Sequence, residues 1–170
     1  MVNRLWSNIL WGQRGNFLSV PTDCPQRDER LGWMGDAEVF WRTAAFDANL
    51  AAFSHKFTAD IRDAQVASGG FTDVSPMVGD VSNSVAGWAD AGVVIPWTAY
   101  VQYGDTRILD ENWAAMEKWM DHLERSNPNH LWLKERGNDY GDWLAIGSET
   151  SKDLIATAFW ACLLYTSRCV

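Results

Sequence analysis

Between Pro21 and Phe40 the chain reads PTDCPQRDERLGWMGDAEVF, where Asp23, Arg27, Asp28, Glu29, Arg30 and Asp36 set charged groups beside the indole of Trp33. Pro21, Pro25, Gly32 and Gly35 argue against a continuous helix, so the stretch reads as an active-site loop. Carboxylates such as Asp23 and Asp36 accept hydrogen bonds from vicinal hydroxyls. An indole such as Trp33 offers a flat face to the C–H side of a pyranose, so charge and aromatic surface together suit a sugar. Cleaving a glycosidic bond requires a carboxylic acid, held protonated near neutral pH by an apolar or anionic setting, to protonate the departing oxygen. Glu29 is the candidate acid: Arg27 and Arg30 would lower its pKa, while Asp23, Asp28 and Asp36 would raise it, and residue types alone leave the sign open. The plainer reading is a structural loop in which the two arginines pair with carboxylates and Trp33 is core.

Within that stretch, DCPQRDERLGWMGDAEVF resembles the signature of the bacterial alpha-L-rhamnosidases of glycoside hydrolase family 78: an Asp, then Pro-x-Arg-x-Glu-Arg, a Trp and a further Asp. By position, the resemblance implies that Glu29 is the general acid, that Asp23, Arg27 and Asp36 hold the rhamnose, and that Trp33 lines its subsite. It also implies a lining role for Trp88, which follows a glycine just before a segment containing Pro-Trp. The segment NDYGDWLA is similar to another loop of the family that reaches the sugar, which adds Asp142 and Trp143. From residue types alone, Asp36 is equally a helix cap, Trp88 a core residue, and Asp142 and Trp143 structural.

The elements that must position these groups are helical. Leu5, Trp6, Ile9 and Leu10 recur at helical spacing, so Asn3 to about Gln13 is expected to form a helix that Gly15 ends. With Asp36 as N-cap, the run from Ala37 onward has no breaker for about thirty residues and predicts one long helix with two apolar strips, sandwiched between layers. The next segment, carrying Gly69, Gly70, Pro76, Gly79 and Gly87, has no apolar period and reads as a long functional connection. A helix follows Trp88, with a bend expected at Pro96. Arg107 to Ser126 is cleanly amphipathic through Leu109, Trp113, Met116, Met120 and Leu123, and its His122 is structural, as is His55 earlier. A second Gly-rich loop holds Asp139, Tyr140, Asp142 and Trp143. A last, nearly all-apolar helix is expected from about Ser148 or Thr150, buried on all sides. No alternating run fit for a sheet core and no fixed repeat occurs, so the fold class is all-α, with the long loops gathered on one rim.

The resemblance implies that this all-α array is a partial (α/α)6 barrel, about half of the helical ring, matched from roughly Leu5 to Leu164. Residues 1–170 would then be the N-terminal part of a glycoside hydrolase catalytic domain, with the remaining half of that domain as its partner. The family inverts configuration, so a second carboxylate must activate water from the other face of the sugar. Its base is a glutamate in a later helix-loop unit, expected beyond Val170, which implies an isolated chain with little or no activity. The implied substrates are rhamnose-containing glycosides or oligosaccharides, and no metal or cofactor is expected.

Composition fits this reading. A length of 170 residues suggests one domain, 47% hydrophobic residues suffice for a core, and a net charge of −8 disfavours nucleic acid and anionic membranes as partners. Most of the eleven tryptophans must be core. Cys24, Cys162 and Cys169 lack disulfide or zinc spacing, and Cys24 is expected to be a packing residue. A reduced, cytoplasmic setting is expected, since the first twenty residues lack a leader pattern and no stretch is apolar enough to span a membrane, although a full-length protein could be secreted. Two other readings stand beside the rhamnosidase: a non-catalytic helical module that binds sugar or packs against other domains, and another hydrolase on the same barrel.

Overall fold

The computed structural model describes residues 1–79 and 83–168. The helices are α1 (Val2–Asn16), α2 (Met34–Asp47), α3 (Ala51–Asp63), α4 (Ala91–Tyr103), α5 (Arg107–Ser126) and α6 (Lys152–Arg168), with isolated bridges but no strands among the described residues. Cys169 lies outside them, as do Asp80, Val81 and Ser82 of the Gly-rich connection.

The centre of the array follows from α4, AGVVIPWTAYVQY, which is apolar around its whole circumference and so must be surrounded. It packs against α2, α3, α5 and α6. Pro96 sits within α4, and the helix runs on through it to Gly104, whose φ of 69° provides the left-handed stop that glycine adopts without steric cost. On one side Trp41 stacks on Phe53 and Phe57 with Phe17 against them, while on the other Trp119 meets Phe71 and Trp132. Of the eleven tryptophans only Trp41, Trp119, Trp132 and Trp160 are buried in the core, while Trp6, Trp11, Trp113 and Trp143 are exposed, so the expectation that most are core is corrected.

Three further expectations are corrected. The breaker-free run after the loop is two helices, because Ala48 takes an extended conformation (φ −150°, ψ 156°) and the chain re-enters helix at Ala51. The break is stabilised from outside the run: Tyr103 Oη on α4 accepts the Leu50 N–H at 2.8 Å, a long-range partner that local propensity does not encode. Asp36 is not an N-cap; α2 is capped at Trp33 without a side-chain bond, and Asp36 falls in the first helical turn, where its charge still favours the helix dipole. Finally, α6 begins at Lys152 and buries Ala156, Trp160 and Leu163, while Leu154 and Tyr165 face outward.

Two carboxylic acids lie inside the helical layers. Asp90, fully buried just ahead of α4, accepts from the Gly87 N–H at 2.8 Å and from the Trp119 indole at 3.3 Å. Burial pushes its pKa up to about 7 against the pull of those donors. Glu38 on α2 is raised well above the usual carboxylate range by burial and then by the Asp90 charge, and its Oε2 has no hydrogen-bond partner. Groups whose folded pKa is raised bind protons more tightly in the native state. Their stabilising contribution is complete below about pH 4 and is lost as pH rises towards 7. The melting temperature should accordingly fall by several degrees from pH 5 to pH 7.5, and Asp90→Asn should flatten much of that slope. A melting temperature that rises over this interval would contradict the assignment.

Phe46 at 84%, Val39 at 75% and Trp11 at 67% relative exposure leave apolar surface on α1 and α2. Contiguous apolar patches beyond a few hundred Å2 are rare on soluble monomers. The isolated chain should therefore enhance the fluorescence of a hydrophobic dye or self-associate, as read by dye titration and light scattering. Phe46→Ser with Val39→Ser should reduce either response.

Candidate active site

The site is assembled by three non-helical segments, residues 17–33, 64–90 and 127–151. The first is clamped to the second through its backbone. The Met34 N–H donates to the Asp73 carbonyl at 2.9 Å, the Ser75 N–H to the Gly32 carbonyl at 2.9 Å, and Trp33 bridges antiparallel to Val74. A Cβ at Gly32 would collide with the Ser75 carbonyl oxygen, so this pairing requires glycine there. Gly35 is constrained from another direction, since a Cβ on it would lie 2.7 Å from the Trp88 ring. Asp73 also receives the Tyr140 hydroxyl at 3.1 Å, which brings the third segment to the same place.

Together they line a cleft of about 680 Å3 walled by Asp23, Cys24, Arg27, Glu29, Trp33, Asp36, Trp88, Tyr140, Trp143 and Leu144. That volume falls in the range of small-molecule sites. The structure thus brings together Glu29, Asp23, Arg27, Trp33, Asp36, Trp88 and Trp143, across about 120 residues of sequence. It does not bring Asp142 to the cleft: that carboxylate is exposed and accepts from Thr150 Oγ1 at 2.9 Å. Three lining residues, Cys24, Tyr140 and Leu144, escaped the sequence reading. Cys24 was expected to be packing, yet it lies between Asp23 and Arg27 on the cleft wall. Tyr140 stood in the NDYGDWLA segment without an assigned role. Its inward turn depends on left-handed backbone at Asp139, Gly141 and Leu144, for which only Gly141 gives a sequence signal.

The electrostatics centre on Glu29. Its Oε1 accepts the Trp33 indole N–H at 2.9 Å, and its Oε2 pairs with Arg27 Nη2 at 2.5 Å. Burial pushes the carboxyl up, but hydrogen bonds from Trp33, Asp23 and Arg27 prevail and hold it below the usual carboxylate range. This settles the sign that residue types left open, and the arginine contributing is Arg27. Arg30 turns back to the Pro25 carbonyl at 3.3 Å. Asp23, which also takes the Leu31 N–H at 3.1 Å, is raised by burial and by the neighbouring Glu29. The two neighbouring carboxyls are thus shifted in opposite directions, Asp23 up and Glu29 down, and they titrate as a pair. Asp36 is likewise raised, by burial first and by the Glu29 charge to a lesser degree, against a backbone hydrogen bond that lowers it. Donor atoms of Asp23, Cys24 and Glu29 lie within 4.8 Å of one another, a spacing compatible with a metal ion, but the Arg27 guanidinium already supplies positive charge at Glu29.

The aromatic part of the lining gathers around Tyr140. Tyr140 stands edge-on to Trp88 (4.8 Å between centroids), Trp143 (5.8 Å) and Trp33 (6.0 Å). Hydrogen-bonding carboxylates and three indoles thus line one cleft carried on loops of a helical array, side-chain types that suit a sugar.

Comparison with known sequences gives the family. Residues 1–168 match the bacterial alpha-L-rhamnosidase 6 hairpin glycosidase domain, and the chain belongs to that family. It is 52% identical over 161 residues to an alpha-L-rhamnosidase of Streptomyces avermitilis, covering 95% of this chain and 15% of the relative. An alpha-L-rhamnosidase of Formosa agariphila is 42% identical over 171 residues, covering 94% and 18%. The crystal structure of the Streptomyces avermitilis enzyme complexed with L-rhamnose superposes with a TM-score of 0.92 at 50% identity, over 98% of this chain and 16% of that one. The all-helical array thus corresponds to a part of an (α/α)6 domain, and the chain spans less than a fifth of the length of these relatives.

Two of the helical glycines, Gly12 and Gly35, give opposed predictions. Alanine is favoured over glycine by up to about 1 kcal/mol inside a helix. At Gly12 on α1, where nothing lies within 4 Å of the added methyl, Gly12→Ala should raise the melting temperature slightly. At Gly35 the methyl meets the Trp88 ring, and overpacking of about 1–3 kcal/mol should exceed the propensity gain. Gly35→Ala should therefore lower the melting temperature and alter the near-ultraviolet circular dichroism, and the reverse order of the two variants would refute this packing.

Proposed function

We propose that this chain carries the general-acid side of a site that hydrolyses terminal alpha-L-rhamnosyl residues with inversion of configuration. The observation that carries the proposal is the convergence of Glu29, Asp23, Arg27 and Asp36 with Trp33, Trp88 and Trp143 on one cleft. The relatives named alpha-L-rhamnosidase and the L-rhamnose complex of one of them support rhamnose as the glycone. Glu29 is the acid. The Arg27 pair and the Trp33 indole favour its ionised form, so Glu29 must take up a proton before it can act, and Asp23, whose pKa is raised and which is hydrogen-bonded to it, is the neighbour placed to pass one. Asp36 and Asp23 accept sugar hydroxyls, and the indoles stack on the C–H faces.

Inversion needs a second carboxylate across the sugar, with room between for water. Asp23, Glu29 and Asp36 all belong to the first loop and the helical turn after it, on one side of the cleft. The proposal therefore assigns the base to polypeptide outside residues 1–170, and this chain alone should bind L-rhamnose without turnover. In the assembled enzyme, Glu29→Gln should lower kcat on natural rhamnosides by about 10²–10⁴-fold, with a smaller loss on a nitrophenyl rhamnoside, whose leaving group departs without a proton. Affinity for L-rhamnose should change little. An equal loss on both substrates would remove Glu29 from the acid role. Turnover by the isolated chain that Glu29→Gln abolishes would place the base within it.

A further inference from the structure

The cleft is held by a residue that the reading above does not use. Asp73 is fully buried, yet it meets all three site segments. Its carbonyl accepts the Met34 N–H, its Oδ1 accepts the Val85 N–H at 3.3 Å, and its Oδ2 accepts the Tyr140 hydroxyl at 3.1 Å. Tyr140 in turn is the ring that Trp33, Trp88 and Trp143 all contact edge-on. We propose that Asp73 and Tyr140 form a positioning couple that sets the aromatic wall of the sugar cleft and, through Trp33, the orientation of Glu29. The inference rests on the rhamnose-site reading for its ligand and on the hydrogen-bond geometry for everything else.

The chemistry assigns the two groups distinct roles. The phenol donates its proton to Asp73, so it is not available as a donor to substrate, and burial together with the Asp73 carboxylate pushes its pKa up to about 12. Tyr140 therefore acts through its ring and its tether. The three indoles come from positions 33, 88 and 143 on separate segments, and no hydrogen bond between one indole and another fixes their relative angles. A phenol anchored at one end to a buried carboxylate and flanked by all three rings does fix them. Trp33 then passes this geometry to catalysis, because its Nε1–H is bonded to Glu29 Oε1. Asp73 and Tyr140 are positioning residues: one acts through the other, and both act through the indoles.

The test uses the 170-residue chain and L-rhamnose, read by indole fluorescence, with near-ultraviolet circular dichroism as a signature of the four-ring cluster that needs no ligand. Tyr140→Phe keeps the ring and removes the tether. It should weaken L-rhamnose binding about tenfold, the scale of a lost hydrogen bond to a charged partner. It should also diminish the near-ultraviolet bands while leaving the far-ultraviolet spectrum unchanged. Asp73→Ala should reproduce both effects. Asp73→Asn, whose amide can donate to the phenol oxygen, should stay within about threefold of the parent affinity, and its effect should vanish in the Tyr140→Phe background. Tyr140→Phe with parental near-ultraviolet bands overturns the couple. So does an Asp73→Asn that loses as much as Asp73→Ala, since that marks a merely structural need for the carboxylate. If Tyr140→Phe fails to fold, Asp73→Asn against Asp73→Ala decides by the same bands. A parent chain indifferent to L-rhamnose overturns the sugar reading instead, and the bands still decide the couple.

Discussion

The site depends on a short stretch of backbone pairing between two loops. Residues 32–34 lie against residues 73–75 through two N–H to carbonyl bonds and one bridge. Loop backbone that is buried has no helix to satisfy its polar groups, so it must find partners elsewhere or lose stability. Here the partner is another loop, and the approach is close enough to require glycine at position 32. This pairing fixes where α2 begins. Because α2 begins there, Asp36 is presented at the cleft, Glu38 is turned into the core, and Trp33 is held at the junction where its indole reaches Glu29.

Charge is then distributed in two layers on either side of α2. In the cleft, a single guanidinium at Arg27 faces Glu29 while Asp23 and Asp36 are raised by burial. Below it, burial raises the pKa values of Glu38 and Asp90 further, with the Asp90 charge adding to the rise at Glu38. The same physical effect, desolvation of a carboxyl, thus has different consequences at the two depths. At the cleft it is partly offset by hydrogen-bond donors, so that Asp23 is raised while Glu29 is lowered. In the core it makes the helical packing itself pH-dependent.

The charged wall was legible because it is local. Asp23, Arg27, Glu29, Trp33 and Asp36 lie within one short stretch whose residue types state their chemistry, and Arg107–Ser126 was legible because its amphipathic period is regular. What was not legible depends on distant partners. The break at Ala48 is stabilised by Tyr103, and the inward turn of Tyr140 by Asp73, 67 residues away. Asp142 looked equivalent to the other acids by type, but left-handed backbone at Gly141 and Leu144 points the loop so that Trp143 faces the cleft and Asp142 meets Thr150. Local composition identifies which groups are chemically competent. Only long-range hydrogen bonds select the ones that are used.

The two walls also differ in how they tolerate change, and the difference matches the proposed ligand. A carboxylate wall carried by one loop moves as a unit, so its internal spacing survives small shifts of that loop. An aromatic wall drawn from three segments keeps its shape only while those segments stay in register, and a buried acceptor such as Asp73 makes that register costly to leave. L-rhamnose, a 6-deoxy sugar, has hydroxyls along one part of the ring and a methyl group with C–H faces on the other. Hydroxyls can adapt to carboxylates by rotating, whereas a methyl group and ring faces depend on fixed surface. Under the proposed function, discrimination between a methyl and a hydroxymethyl substituent would rest on the aromatic surface that the couple holds.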